Sequence, residues 1–277
     1  MDNIEKAPIV EGGCTNPSFP PSTIPPPSAS STAKPPPDAS PLIVWVRRYR
    51  RYLPVPLVLF VVVFLRPTVP FGSTLLDTLI DLLGVSICTL GQWLRMWAWG
   101  SNATVGKWGV RDRGPYHLVR HPLYAGNFLI VLGLSVVFHN LWAYLLLLFP
   151  FAYMYHAITN MEEKRMRRRF GEDYRDYREQ EVPRFLPAFS NLRQAIRTTR
   201  PFDWAFAWRK EYESCCGWLA GIALLEAYQG ILLRGWTQNW PYTLTWVAIA
   251  GLIGMTSLVL RQWKKAARGR STVGNNA

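Results

Sequence analysis

The chain has 277 residues, 49% of them hydrophobic and 14% aromatic, and 31 Lys and Arg against 18 Asp and Glu leave a net charge of +13. In a soluble chain that charge would point to nucleic acid. Here the apolar residues fall in blocks of near membrane-spanning length with the basic residues between them, so the expectation is a polytopic, all-α transmembrane bundle with no nucleic-acid partner.

Residues 1–41 are rich in Pro, Ser and Thr, as in Pro25-Pro26-Pro27 and Pro35-Pro36-Pro37. They cannot bury enough surface to fold, so a disordered tail is expected. The tail also lacks the apolar run of a cleavable leader. The first span is expected at 53–71, preceded by Arg47, Arg48, Arg50 and Arg51. The second covers 74–99, with Asp77 and Asp81 near one end and Gln92 and Arg95 near the other. Arg95 is expected to snorkel to the headgroups and the aspartates to face the opposite interface.

A basic loop, 100–121, carries Lys107, Arg111, Arg113 and Arg120. Spans three (122–138) and four (141–159) are joined only by His139-Asn140, so they must be antiparallel. Pro150 is a candidate kink in the fourth. Residues 160–200 hold eleven Lys and Arg. Residues 201–213 read as a surface-lying amphipathic entry, followed by spans at 214–233 and 242–260. Arg261, Lys264, Lys265, Arg268 and Arg270 close the pattern. An even count of six spans puts every basic segment on one side, which predicts cytoplasmic N- and C-termini. The domain plan is a tail (1–41), a membrane core with a cytoplasmic pocket (42–200) and a C-terminal part (201–277).

Cys14, Cys88, Cys215 and Cys216 show no zinc-ligand spacing and imply no disulfide framework, so no metal site is expected. The chemistry concentrates instead at Gly114-Pro115-Tyr116 and Arg120-His121-Pro122-Leu123-Tyr124-Ala125-Gly126. Pro122 suits the first position of a helix. The free N–H groups of the next turn, beside two potentially cationic side chains, can bind an anion. The hairpin of spans three and four returns the chain to the same face near Asn160. Each span needs roughly 17–19 residues at about 1.5 Å per residue. Glu162 and Glu163 therefore arrive beside Arg120 and His121. A zwitterion with ammonium, carboxylate and ribose hydroxyls suits such a pocket. Taken alone, Thr159-x-x-Glu162 or Asn160-x-x-Glu163 reads as a capping box. The run Lys164 to Arg169 reads as a lipid-headgroup surface.

These segments come in order with Phe170-Gly171-x-x-Tyr174-x-x-Tyr177 and Val182-Pro183. Together they resemble the membrane-embedded isoprenylcysteine carboxyl methyltransferase and phospholipid methyltransferase superfamily, over roughly residues 75–190. The resemblance implies an S-adenosylmethionine-dependent methyltransferase acting on a lipid or prenyl-like acceptor. It implies that Tyr116, Arg120, His121, Pro122, Tyr124, Gly126, Glu162 and Glu163 surround the cofactor, with Arg184 a weaker carry-over. Arg120 and Glu163 are the candidate catalytic residues. Glu163 or His121 would serve as base if the acceptor is an ammonium. The competing readings are an NADPH-dependent sterol-type reductase and a non-enzymatic membrane scaffold.

Overall fold

The computed structural model describes residues 54–68, 74–105, 110–179 and 182–273. The expected tail, the arginines at 47–51 and Lys107 lie outside the described residues. Among those described, the chain is all-helical. The helices are α1 (Pro54–Phe64), α2 (Thr74–Ser101), α3 (Pro122–Val137), α4 (Leu141–Glu179), the short α5 (Leu192–Arg197), α6 (Trp204–Arg234) and α7 (Trp236–Val273).

Five of the six expected spans fall on helices over most of their length; of the first, expected at 53–71, the described helix is the 11-residue α1, and residues 65–68 are not helical. Among the described residues, four stretches are long and apolar enough to cross a membrane: Leu75–Ser101, Leu141–Glu172, Trp204–Leu233 and Asn239–Ala266. The α3 helix has 16 residues, about 24 Å of rise, somewhat under the ~30 Å of a hydrocarbon core. Apolar side chains point outward along the bundle, among them Leu79, Leu82, Leu90, Leu252, Met255 and Leu258. Water would penalise this surface and lipid would not.

Three further boundaries differ from the sequence reading. The interfacial entry at 201–213 is the first turns of α6. The Asp203 carboxylate accepts from the Phe206 N–H at 2.8 Å and caps the helix. Ala207 and Glu211, one turn apart, are buried while Trp208, Arg209, Lys210 and Glu213 stay exposed, so the segment is a docked helix. Span four runs on as α4 to Glu179, with the backbone leaving helical geometry only at Gly171 (φ 49°, ψ −116°). Pro150 sits inside without such a break. Because α4 is continuous through 159–163, the capping-box reading fails. The Thr159 hydroxyl donates to its own helix, at His156 O. The last span is longer than expected and departs from helical geometry at Asn239, two residues before Pro241.

The α2 and α3 helices meet backbone to backbone. A β-carbon added to Gly91 would lie 2.6 Å from Gly126 O, and one added to Gly126 would lie 2.7 Å from Gly91 O. Seven residues along each helix the antiparallel pair repeats: a β-carbon on Gly84 would lie 2.8 Å from Gly133 O, and one on Gly133 would lie 2.4 Å from Gly84 O. Small residues let membrane helices approach this closely. Below this seam, Cys88, Ile130, Trp218 and Ile222 tie α2, α3 and α6 together. Val61, Phe138, Ala143 and Leu147 pack α1 against the hairpin turn.

Candidate active site

The α3 helix starts as its sequence dictates. His121 is the N-cap, Pro122 the first helical residue, and no side chain caps the start. Tyr124 N and Ala125 N both reach His121 O at 3.0 Å. The α4 helix returns alongside and brings its carboxylates to this mouth.

Glu163 is almost fully buried and holds three partners. Its Oε1 lies 3.3 Å from Arg120 Nη1 and 3.3 Å from His121 Nε2, and its Oε2 accepts from Arg184 Nη2 at 2.8 Å. Arg184 Nη1 also donates to Asn160 Oδ1 at 2.8 Å. Glu162 accepts from the Tyr124 hydroxyl at 2.7 Å. The Tyr124 ring packs on Tyr155, with centroids 4.8 Å apart. Tyr116 is in the short 3-10 turn Gly114–His117. Burial pushes its phenol above the ordinary value, against the pull of the neighbouring Arg111.

A strap made by residues 182–188 completes the cluster. Arg120 N donates to Pro183 O at 2.8 Å, Arg120 Nε to Val182 O, and Ala188 N to Leu118 O at 2.9 Å. Val182 is fully buried, which fixes the strap and hangs Arg184 over Glu163. Tyr174, three residues past the Gly171 break, is also buried.

The structure therefore brings together Arg120, His121 and Tyr124, before and in the first turn of α3, with Glu162 and Glu163 of α4 and Arg184 from the strap. Pro122 is buried as the first residue of α3. Gly126 is elsewhere: it faces Gly91 and the Arg95 side chain, where it lets α2 and α3 touch.

Sequence reasoning missed a second buried network and misread one member. Arg95 does not snorkel. Its Nε and Nη2 donate to both oxygens of Glu211 at 2.7 and 2.9 Å, a two-pronged pair inside the bundle. Its Nη1 donates to Asn127 Oδ1, and Gln92 Nε2 donates to Glu211 at 3.2 Å. The spacing Gln92-x-x-Arg95 on an apolar helix is the signal that a polar partner was needed; nothing local named Glu211. Glu226 and Gln229 make interhelical bonds, Glu226 accepting from the Tyr242 hydroxyl at 2.7 Å and Gln229 donating to Val137 O at 2.5 Å.

Chemically the cluster is a set of guanidiniums and carboxylates at a helix mouth. The carboxylates suit ammonium and hydroxyl groups and the guanidiniums suit a carboxylate, whereas the first-turn N–H groups of Tyr124 and Ala125, expected to be free for an anion, are taken by His121 O. That donor set fits the amino-acid and ribose parts of a zwitterionic nucleoside.

Residues 79–173 match the phospholipid methyltransferase family model, consistent with the isoprenylcysteine and phospholipid methyltransferase superfamily. The matched segment holds Arg120, His121, Tyr124, Glu162 and Glu163. The chain is 32% identical over 115 residues to the nickel-cobalt-cadmium resistance protein NccN of Alcaligenes xylosoxydans xylosoxydans, covering 41% of this chain and 51% of that protein. It is 35% identical over 122 residues to the cobalt-zinc-cadmium resistance protein CzcN of Cupriavidus metallidurans, covering 44% and 53%. The chain thus spans about half the length of these curated relatives. No solved structure matches it.

Proposed function

We propose that this protein is an integral membrane methyltransferase that uses S-adenosylmethionine to methylate a lipophilic acceptor, a prenylcysteine-like carboxylate or a phospholipid amine. One observation carries the reading. Two half-sites about forty residues apart in sequence, Arg120-His121 with Tyr124 and Glu162-Glu163, meet at one helix mouth inside the segment that matches the phospholipid methyltransferases.

When bound, S-adenosylmethionine supplies an electrophilic methyl group on a cationic sulfur. The protein's own residues bind and orient. Glu162, already carrying the Tyr124 hydroxyl, offers carboxylate oxygen to an ammonium or a sugar hydroxyl. Arg120 and Arg184 offer guanidinium N–H groups to a carboxylate. Glu163 acts as a positioning residue: both of its oxygens are taken by Arg120, His121 and Arg184, so it fixes their directions and is a poor proton acceptor. If the acceptor is an ammonium, His121 is the better base, since its ring touches Glu163 and lies at the pocket mouth. A carboxylate acceptor needs none. Charge diminishes as the methyl moves from a cationic donor, so excluding water and fixing the line of attack supply much of the acceleration.

The charge rule puts this mouth and both termini on the cytoplasmic side. The test is calorimetric titration of the detergent-purified chain with S-adenosylmethionine and with NADPH. Saturable binding of the first, weakened in Arg120→Ala and Glu162→Ala, is expected. Saturable NADPH binding with no response to S-adenosylmethionine would overturn the reading. Transfer of a labelled methyl group into lipid extract then sorts the acceptors: a base-labile label marks an ester, a stable one an amine.

A further inference from the structure

At the opposite end of α3, about 24 Å of helix rise from the Arg120 cluster, lies a second polar group. His139 sits in the turn between α3 and α4 with φ 53°, the left-handed region a non-glycine residue seldom adopts. The turn is pinned from outside: Thr68 N and Oγ1 both donate to His139 O, and Asn140 Nδ2 donates to Arg66 O. The His139 side chain has no exposed surface. It is driven between two carboxylates of α2, with Nδ1 2.9 Å from Asp77 Oδ1 and Nε2 3.0 Å from Asp81 Oδ1.

Those distances suit ion pairs, but the directions do not suit hydrogen bonds. All four atoms are buried, and none has a hydrogen-bond partner. An imidazolium answering two aspartates would aim its N–H groups at them in the ring plane. A metal ion asks for something else: a nitrogen lone pair and carboxylate oxygens turned to one point, with neighbouring ligand atoms spaced by the edge of the coordination polyhedron. For bonds of about 2.1 Å in an octahedral shell that edge is about 3.0 Å. A single ion can take only one of the two ring nitrogens, so one of the two short N···O contacts would be such an edge, and the chosen nitrogen and one oxygen from each aspartate lie within 4.8 Å of one another.

The surroundings are short of positive charge. A cavity of about 110 Å³ adjoins the aspartates and is lined also by Glu226, Gln229 and Tyr242, with no Lys or Arg in its wall among the described residues. Three carboxylates and one imidazole at the end of an apolar bundle leave net negative charge that a divalent cation would balance.

We propose that Asp77, Asp81 and His139, with Glu226 beside them, form a divalent-cation site that pins the α3–α4 turn to α2. The imidazole favours a transition ion such as Zn²⁺, Co²⁺ or Ni²⁺, whereas the carboxylates alone would suit Mg²⁺ or Ca²⁺ as well. The site is independent of the methyl-transfer reading.

The test is Co²⁺ binding to the tag-free, chelator-stripped full chain in detergent, followed by equilibrium dialysis and visible absorption. One Co²⁺ per chain is expected, without a thiolate charge-transfer band and displaceable by Zn²⁺. His139→Ala and the near-isosteric Asp81→Asn should each weaken it by at least about tenfold, with circular dichroism and gel filtration unchanged in the second. Arg120→Ala, at the other end of the bundle, should bind Co²⁺ as the wild type does. No uptake by the wild type, a thiolate-dominated spectrum, or equal uptake by a folded Asp81→Asn protein would overturn the proposal.

Discussion

The Tyr124 hydroxyl donates to the Glu162 carboxylate at 2.7 Å across 38 residues of sequence, and this bond joins the mouth of α3 to α4. It orients the carboxylate that the proposed cofactor would meet. In Tyr124→Phe the carboxylate loses one charged hydrogen bond, worth about 1.5–3 kcal/mol. Both S-adenosylmethionine affinity, by calorimetry, and the melting temperature should fall, the affinity by about tenfold or more.

Glu163→Gln should act on more partners. It removes the charge that holds Arg120, His121 and Arg184 together. Breaking a buried pair of this kind costs on the order of 3 kcal/mol. Both melting temperature and cofactor affinity should drop, whereas Glu162→Gln should lower affinity alone. Equal thermal stability of the two variants would refute the positioning role.

Gly126→Ala should destabilise without touching the polar cluster. Its new methyl meets Gly91 O at 2.7 Å and Arg95 Cγ at 2.5 Å. Overpacking of this order costs roughly 1–3 kcal/mol. A thermal-shift assay checks it. The same change at Gly251, which has nothing within 4 Å, should be silent.

Tyr174 should make itself felt in alkali. Burial and then the Glu163 carboxylate push its phenol above the ordinary value, more than Arg120 draws it down. The folded state thus holds this proton more tightly than the unfolded chain. The resulting stability is complete below about pH 10 and is lost as pH rises through the higher folded value. Melting temperatures between about pH 10 and 11.5 should fall less steeply in Tyr174→Phe. Parallel curves would show that Tyr174 contributes nothing.

Reporter fusions at residues 140 and 238 should both report the non-cytoplasmic side, and fusions at 190 and after 266 the cytoplasmic side. A cytoplasmic signal at 140 would break the assigned orientation.

Much of the bundle was legible because apolar runs and basic punctuation are local signals. Pro122 announced the start of α3, and the two-residue His139-Asn140 link forced the hairpin that brings Glu162-Glu163 to Arg120-His121. What was lost was set by partners far along the chain. Arg95 reads as a snorkelling cation until Glu211, 116 residues on, accepts it. Residues 201–213 read as interfacial because their charges are visible in sequence and the buried face of Ala207 and Glu211 is not. Asp77 and Asp81 share a helix face by their four-residue spacing, but nothing local named His139; the α3–α4 turn put it between them. Gly126 stands in the motif, yet its neighbours are Gly91 and Arg95, so motif membership did not translate into a place at the polar cluster.

The glycine seam also bears on how a greasy molecule could reach the helix mouth. With Gly84, Gly91, Gly126 and Gly133 in main-chain contact, α2 and α3 form one plank with no slit wide enough for an acyl chain. If the proposed lipophilic acceptor enters from the bilayer, its doorway would open along some other flank of α3, so channel-blocking side chains should be sought on α4 and the strap, and substitutions along the plank should leave its entry alone.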